Sequence, residues 1–272
     1  MKRYVALDLE TVPDEDLVAA VDGEPTRPYA DQLGRLLAAR RAQSGGKSDF
    51  LPIPYHRPVA ACTLEAVERD GALVLADVGC WTDRLAPEAV FLERTWERLA
   101  ARTLVTFHGK GFDLPVLELR SLKLGLSVPA WFRGPRHGPD DHHDLFELLT
   151  NGGAAPSAPL DLYAKLLGLP GKDGVAGKDV GALYAQGAHD RIAGYCMTDV
   201  VQTWLVYLRW RLLAGTLTPA GYAASVASCR EDLPPLFRER LDAAARPHLA
   251  AFLERCAPFF DEVRAQPLTR TG

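Results

Sequence analysis

The apolar run Tyr4-Val5-Ala6-Leu7 closes on Asp8-Leu9-Glu10-Thr11. It reads as a short buried strand, Tyr4 to Leu7, that ends in two carboxylates. Side chains alternate faces along a strand, so Asp8 and Glu10 project to the same side, roughly 7 Å apart at ~3.3 Å rise per residue. Two carboxylates at that spacing repel each other unless a cation lies between them. A rigid strand end holds the geometry, and a divalent ion with oxygen ligands, Mg²⁺ or Mn²⁺, makes it favourable. Read alone, the pair is also the polar rim of any strand leaving a core. Its meaning depends on whether further carboxylates arrive from elsewhere in the chain.

The 272 residues suffice for one large domain or two small ones. A hydrophobic share of 47% with 24% charged residues is ordinary for a globular chain, so a sizeable core is available. The formal net charge of −4 argues against a protein that coats nucleic acid. It leaves room for a nuclease, whose acidic residues metals neutralise while local Lys and Arg meet phosphates. The five cysteines form no C-x-x-C pair, which fits reduced thiols and a cytoplasmic location. No long apolar stretch follows Lys2-Arg3, so no secretory leader is expected. No run approaches the ~18 apolar residues of a membrane span.

The pattern along the chain predicts an insertion over 13–55 with a helix from Leu33 to Ala42, an extended Pro52 to Pro58, then a hairpin. Val59 to Glu68 and Leu73 to Val78 flank Asp70-Gly71, a tight-turn pair. Pro87 opens a helix to about Ala101, Leu104 to Phe107 is a strand, and Leu114 to Leu124 a helix. A long loop from Gly125 to Asp141 precedes helices near 144–150, 159–167 and 178–186. A long helix runs from His189 to Leu213, and the remainder is helical, with Leu233 to Arg255 the strongest segment. This order predicts a mixed sheet flanked by helices, an α/β architecture.

Two further candidate carboxylate positions follow. In Phe107-His-Gly-Lys-Gly-Phe-Asp113 a glycine-rich turn leads from a strand into a helix, and Pro115 falls in the first helical turn, where its missing N–H is tolerated. Read alone, Asp113 fits an N-cap. In Tyr195-Cys-Met-Thr-Asp199 the tyrosine and aspartate share one helix face. Ile192, Val200, Val201, Trp204 and Leu208 mark that helix as packed, where a carboxylate is unfavourable unless paired or metal-bound.

Together, Asp8-Leu-Glu-Thr11, His108-Gly-Lys-Gly-Phe-Asp113 and Tyr195-x-x-x-Asp199 resemble the three motifs of the four-carboxylate 3′→5′ exonucleases, in the subtype with tyrosine in the third motif. More narrowly, the chain is similar to bacterial stand-alone proteins related to the proofreading domain of family B DNA polymerases. The resemblance runs through most of residues 1–215 and includes His143-Asp144-Leu145 and Leu167-Gly-Leu-Pro-Gly-Lys172. It departs at His108, where the family usually has asparagine.

The resemblance implies a ribonuclease H-like domain over 1–215 with a helical C-terminal extension over 216–272. It implies two Mg²⁺ or Mn²⁺ ions held by Asp8, Glu10, Asp113 and Asp199, with Glu10 and Tyr195 positioning the attacking water. The substrate would be a single-stranded 3′ end, DNA favoured over RNA, releasing 5′-mononucleotides, with DNA repair or replication proteins as partners. Thr11, Val12, His108, Lys110 and Phe112 are the candidate substrate contacts. Phe107 reads as core, Arg133 and Arg136 as phosphate contacts or a solvated loop, and Asp144 as the cap of the next helix. Lys172 and Lys178 lie in a glycine-rich loop that would approach substrate. His137, His142 and His143 with Asp140 and Asp141 match no standard zinc spacing. The alternatives are a non-catalytic nucleic-acid-binding protein and a metal-dependent phosphohydrolase of small nucleotides. No polymerase domain fits in the residues after 215.

Overall fold

The structure is a computed structural model that describes residues 1–133, 141–171 and 177–265, the side chain of Lys178 excepted. Its strands are β1 (Arg3–Pro13), β2 (His56–Arg69), β3 (Ala72–Thr82), β4 (Thr103–Thr106) and β5 (His142–Asp144). Helices α1 (Glu15–Asp22) and α2 (Tyr29–Gln43) fill the insertion after β1, and α3 (Glu88–Leu99) and α4 (Asp113–Leu124) flank β4. Short helices α5 (Pro129–Arg133), α6 (Leu145–Leu149), α7 (Leu160–Leu166) and α8 (Val180–Ala185) lead to α9 (His189–Leu213). The chain then forms α10 (Pro219–Arg240) and α11 (Arg246–Ala265).

The strands form one sheet in the order β3-β2-β1-β4-β5. β2 runs antiparallel to both β1 and β3, whereas β4 runs parallel to β1 and β5 parallel to β4. Three antiparallel strands continued by two parallel ones, with helices on both faces, make the mixed, helix-flanked sheet that the sequence predicts. The β2–β3 turn is Asp70-Gly71, with φ of 52° and 77°. Left-handed geometry at both residues matches the twist of the flanking strands, which explains why an Asp-Gly pair stands there.

β1 divides the core by its alternation. Tyr4 and Ala6 join α9, α10 and α11 on one face; Val5, Leu7 and Leu9 join Phe91, Leu92, Trp96, Leu114 and Leu117 of α3 and α4 on the other. At ~25 cal/mol per Å² of apolar surface, burial on both faces is what holds the central strand. The C-terminal helices belong to the same core: Tyr222, Val226, Leu233, Phe252 and Phe259 pack with Trp204 and Leu208 of α9. α10 also covers the edge of the sheet. Ser225 and Ser228 accept hydrogen bonds from the Leu73 and Leu75 amides of β3 at 2.8 and 2.9 Å. Gly221 packs against the Gly71 carbonyl, leaving no room for a Cβ.

Several bounds differ from the sequence expectation. β1 does not stop at Leu7 but pairs with β2 out to Pro13, with an irregularity between Glu10 and Thr11. The acidic pair therefore stands within a strand whose later positions Leu9 and Val12 are also buried. The apolar segment from Leu233 to Arg255 is two helices, broken over 241–245 where Leu241 is extended. The segment from Pro52 to Pro58 holds a 3-10 turn, Ile53–Tyr55, before β2 begins.

Candidate active site

Asp8 and Glu10 emerge from β1 on the face covered by α9. Their carboxylate oxygens and the Cys196 Sγ lie within 4.8 Å of one another. Between them Leu9 points to the opposite face. Its backbone N–H donates to Asp113 Oδ1 at 3.0 Å, so the amide between two carboxylates holds the third.

Asp113 is the first residue of α4 and is 4% exposed. Burial pushes its carboxyl up to about 7. Its own amide and that of Leu9 pull the other way, and the nearby Asp144 carboxylate raises it further. The turn leading to Asp113 is organised by Asp144 at the end of β5. That carboxylate accepts the backbone N–H of His108 at 2.7 Å and of Lys110 at 2.9 Å. It also caps α6 through Phe146 N at 3.0 Å. His108 sits at φ 66°, exposed, with its ring 4.3 Å from that of Phe146.

Tyr195 and Asp199 project from α9 toward β1, both buried. The Tyr195 hydroxyl is raised well above its ordinary value, first by burial and then by the charges of Asp199, Glu10 and Asp8, and it donates to Asp199. Asp199 also accepts from Gln202 Nε2 at 3.5 Å. The fold thus brings Asp8, Glu10, Tyr195 and Asp199 together across β1 and α9 and attaches Asp113 through Leu9.

The candidate substrate residues surround this cluster unevenly. Thr11 Oγ1 and His56 Nδ1 share a hydrogen bond at 2.9 Å, and His56 Nε2 meets the Leu51 carbonyl at 3.1 Å. Burial pushes the His56 imidazole down, keeping it neutral. The His56 ring stacks on Phe50 at 4.9 Å and meets Phe112 edge-on at 4.9 Å. Phe50 is 55% exposed, so the three rings form an aromatic shelf with an open face beside Thr11 and Asp113. Val12 is buried with Val59, Val180, Leu183 and Tyr195, behind the tyrosine. Lys110 pairs with Glu147 at 2.6 Å. Phe107 packs against Phe146, Tyr163 and the main core. Arg133 ends α5 and is exposed. His142 and His143 face opposite sides of β5, toward Thr106 and Tyr207. Arg136, His137, Asp140 and Lys172 lie outside the described residues, as does the side chain of Lys178.

Cys196 was not among the site residues expected from sequence. Its position next to Tyr195 in α9 was the available signal. Burial holds its thiol well above the ordinary range, and its Sγ donates to the Asp8 carbonyl at 3.3 Å. The donors that remain are carboxylate oxygens, the chemistry preferred by Mg²⁺ and Mn²⁺ and not by zinc, copper or iron–sulfur centres. The residues present fit a hard divalent cation.

A family model described as "Predicted 3'-5' exonuclease related to the exonuclease domain of PolB" matches residues 48–256, a span that holds Asp113, Tyr195, Asp199 and α10 and begins after β1. A solved structure of exonuclease I is similar at 12% identity with a TM-score of 0.38, covering 89% of this chain and 46% of that one. This chain therefore spans about half the length of that protein. No curated protein matches. Among the described residues no helix is long and apolar enough to cross a membrane. With the match extending over most of its length, the chain belongs to the family of predicted 3′–5′ exonucleases related to the exonuclease domain of PolB.

Proposed function

We propose that the chain hydrolyses phosphodiester bonds at single-stranded 3′ ends, DNA in preference to RNA, releasing 5′-mononucleotides. The observation that carries this reading is the meeting of Asp8 and Glu10 on β1 with Tyr195 and Asp199 on α9. Asp8, Glu10, Asp113 and Asp199 would hold two Mg²⁺ or Mn²⁺ ions, which when bound supply an acidified water and neutralise charge on the phosphate. Tyr195 keeps its proton at neutral pH, so its hydroxyl orients the attacking water by hydrogen bonding and does not act as a base. Glu10 accepts from the same water on the other side. No residue need attack covalently.

The shelf of Phe50, His56 and Phe112 supports a single-stranded substrate, because aromatic faces stack any base. Residues 1–215 would form the catalytic unit, with α10 and α11 bracing its sheet. Five free cysteines support a reducing compartment such as the cytoplasm. Replication or repair proteins would supply the 3′ ends.

The test is purified protein with 3′- and 5′-labelled single-stranded DNA and RNA, in Mn²⁺ or EDTA. Stepwise shortening from the 3′ end, lost in EDTA and in Asp8→Ala and Asp199→Ala, is expected. Metal-dependent cleavage untouched by either substitution would sink the site. Hydrolysis confined to free nucleotides would indicate a small-molecule phosphohydrolase instead.

A further inference from the structure

We propose that Cys62 and Cys80 are a modification site, a dithiol that small hydroperoxides close to an intramolecular disulfide. The two residues are direct register partners on β2 and β3. Their Sγ atoms lie 2.7 Å apart, close to the ~2.05 Å of a disulfide bond. Both sulfurs also sit against the Ala193 carbonyl of α9, at 3.5 and 3.8 Å, which holds the two side chains facing each other.

Access is asymmetric. Cys62 is buried, whereas Cys80 is half-buried and lines a cavity of about 250 Å³ with Trp81, Arg84, His189 and Leu241. No other cysteine lines that cavity. Cys196 of α9 is buried and reaches Cys62 without lining the cavity, so it does not meet an entering hydroperoxide; Cys229 and Cys256 are buried elsewhere. A hydroperoxide therefore reaches Cys80 first, and Cys62 is the neighbour that resolves the product.

The chemistry closes without a further reagent. The Cys80 sulfur attacks the terminal peroxide oxygen, the O–O bond breaks, and an alcohol (or water, from hydrogen peroxide) leaves with the thiol proton. Cys80 is then a sulfenic acid. The Cys62 sulfur attacks the Cys80 sulfur, the S–S bond forms, the S–O bond breaks, and the hydroxyl leaves as water with the Cys62 proton. Two thiols lose two electrons, and one peroxide gains them. A cellular thiol reverses the step by exchange. The location matters because Cys62 is also the register partner of Asp8, so the bond would form one strand away from the acidic cluster.

The experiment titrates the full chain with hydrogen peroxide or tert-butyl hydroperoxide, alkylates the remaining thiols, and maps peptides with and without dithiothreitol. The expected result is a Cys62–Cys80 cross-link, reversed by the reductant, at a dose about tenfold below that modifying the other cysteines. Cys62→Ser should leave a dimedone-reactive sulfenic acid on Cys80; Cys80→Ser should leave Cys62 unmodified at the same dose. A cross-link through another cysteine, over-oxidation of Cys80 without linkage, or intact thiols at both positions would overturn the proposal. None of these readouts depends on nuclease activity.

Discussion

The Leu9 amide donates to the Asp113 carboxylate at 3.0 Å, joining β1 to the first turn of α4 in the middle of the acidic cluster. That bond makes the spacing of three carboxylates a property of the backbone. Asp113→Asn keeps an acceptor for Leu9 but loses the charge. It should lower exonuclease rate by about two to three orders of magnitude while the melting temperature falls little. Single-turnover rates beside thermal unfolding check this; a large fall in melting temperature would mean that the charge serves the fold.

Asp8, Glu10 and Asp199 all act electrostatically on Tyr195. In metal-free protein they repel one another, so binding of Mg²⁺ or Mn²⁺ should stabilise the fold. At a hundred times the dissociation constant the gain is about 2.7 kcal/mol, which is roughly 5–10 °C for a chain of this size. Asp199→Asn should raise the melting temperature in EDTA by relieving that repulsion, and should shrink the shift with metal. Scanning fluorimetry with and without Mn²⁺ measures both effects.

His108 occupies a left-handed backbone conformation at φ 66°, with its N–H held by Asp144. Asparagine, histidine and aspartate tolerate that region better than other side chains, which explains how histidine can stand at this position. His108→Asn should leave stability unchanged and activity equal or higher. His108→Val should cost about 1–3 kcal/mol through backbone strain. Urea unfolding of the two variants separates them, and a tenfold activity loss in the asparagine variant would give the imidazole a specific role.

Arg120 of α4 is 4% exposed and pairs with Asp14 just beyond β1 and with Glu88 of α3, while Lys123 reaches Asp14 at 2.6 Å. Desolvation opposes the Asp14 charge, but Lys123 and Arg120 outweigh it and hold the carboxyl below its ordinary value. Arg120→Ala strands Glu88 and leaves Asp14 with Lys123 alone, and should cost about 3 kcal/mol. A depressed folded-state pKa binds protons less readily than the unfolded chain. The contribution of Asp14 is therefore present above about pH 4 and lost as pH falls through the folded value. Denaturant unfolding from pH 7 down to 3 should show a smaller acid-side loss in Asp14→Asn than in the parent.

Phe50 keeps 55% exposure although its ring stacks on His56. Phe50→Ala should raise KM for a single-stranded oligonucleotide about tenfold, in line with ~1–3 kcal/mol per stacked base. It should leave hydrolysis of a nucleoside monophosphate ester unchanged. An unaltered oligonucleotide KM would remove the shelf from the substrate path.

What could be read beforehand follows the strength of local signals. The bounds of α9, His189–Leu213, were legible because it is a long run rich in apolar residues with no proline, and every residue from Ile192 to Leu208 is buried. Asp70-Gly71 announced the hairpin, and strand alternation placed Asp8 and Glu10 on one face. α1 escaped because it is only eight residues long, with Val18 its one buried residue. β5 escaped because His142–Asp144 is short and polar and forms by backbone pairing with β4. The same reason hid part of the site. Cys196 and the turn-organising role of Asp144 depend on tertiary neighbours that no local pattern announces.

β3 is an edge of the sheet, and its Leu73 and Leu75 amides end on Ser225 and Ser228 of α10. Those serines take the positions that a foreign strand would otherwise occupy. The C-terminal helices therefore cover that edge as well as pack on the core. A chain cut after residue 215 would offer β3 to its copies and self-associate edge to edge.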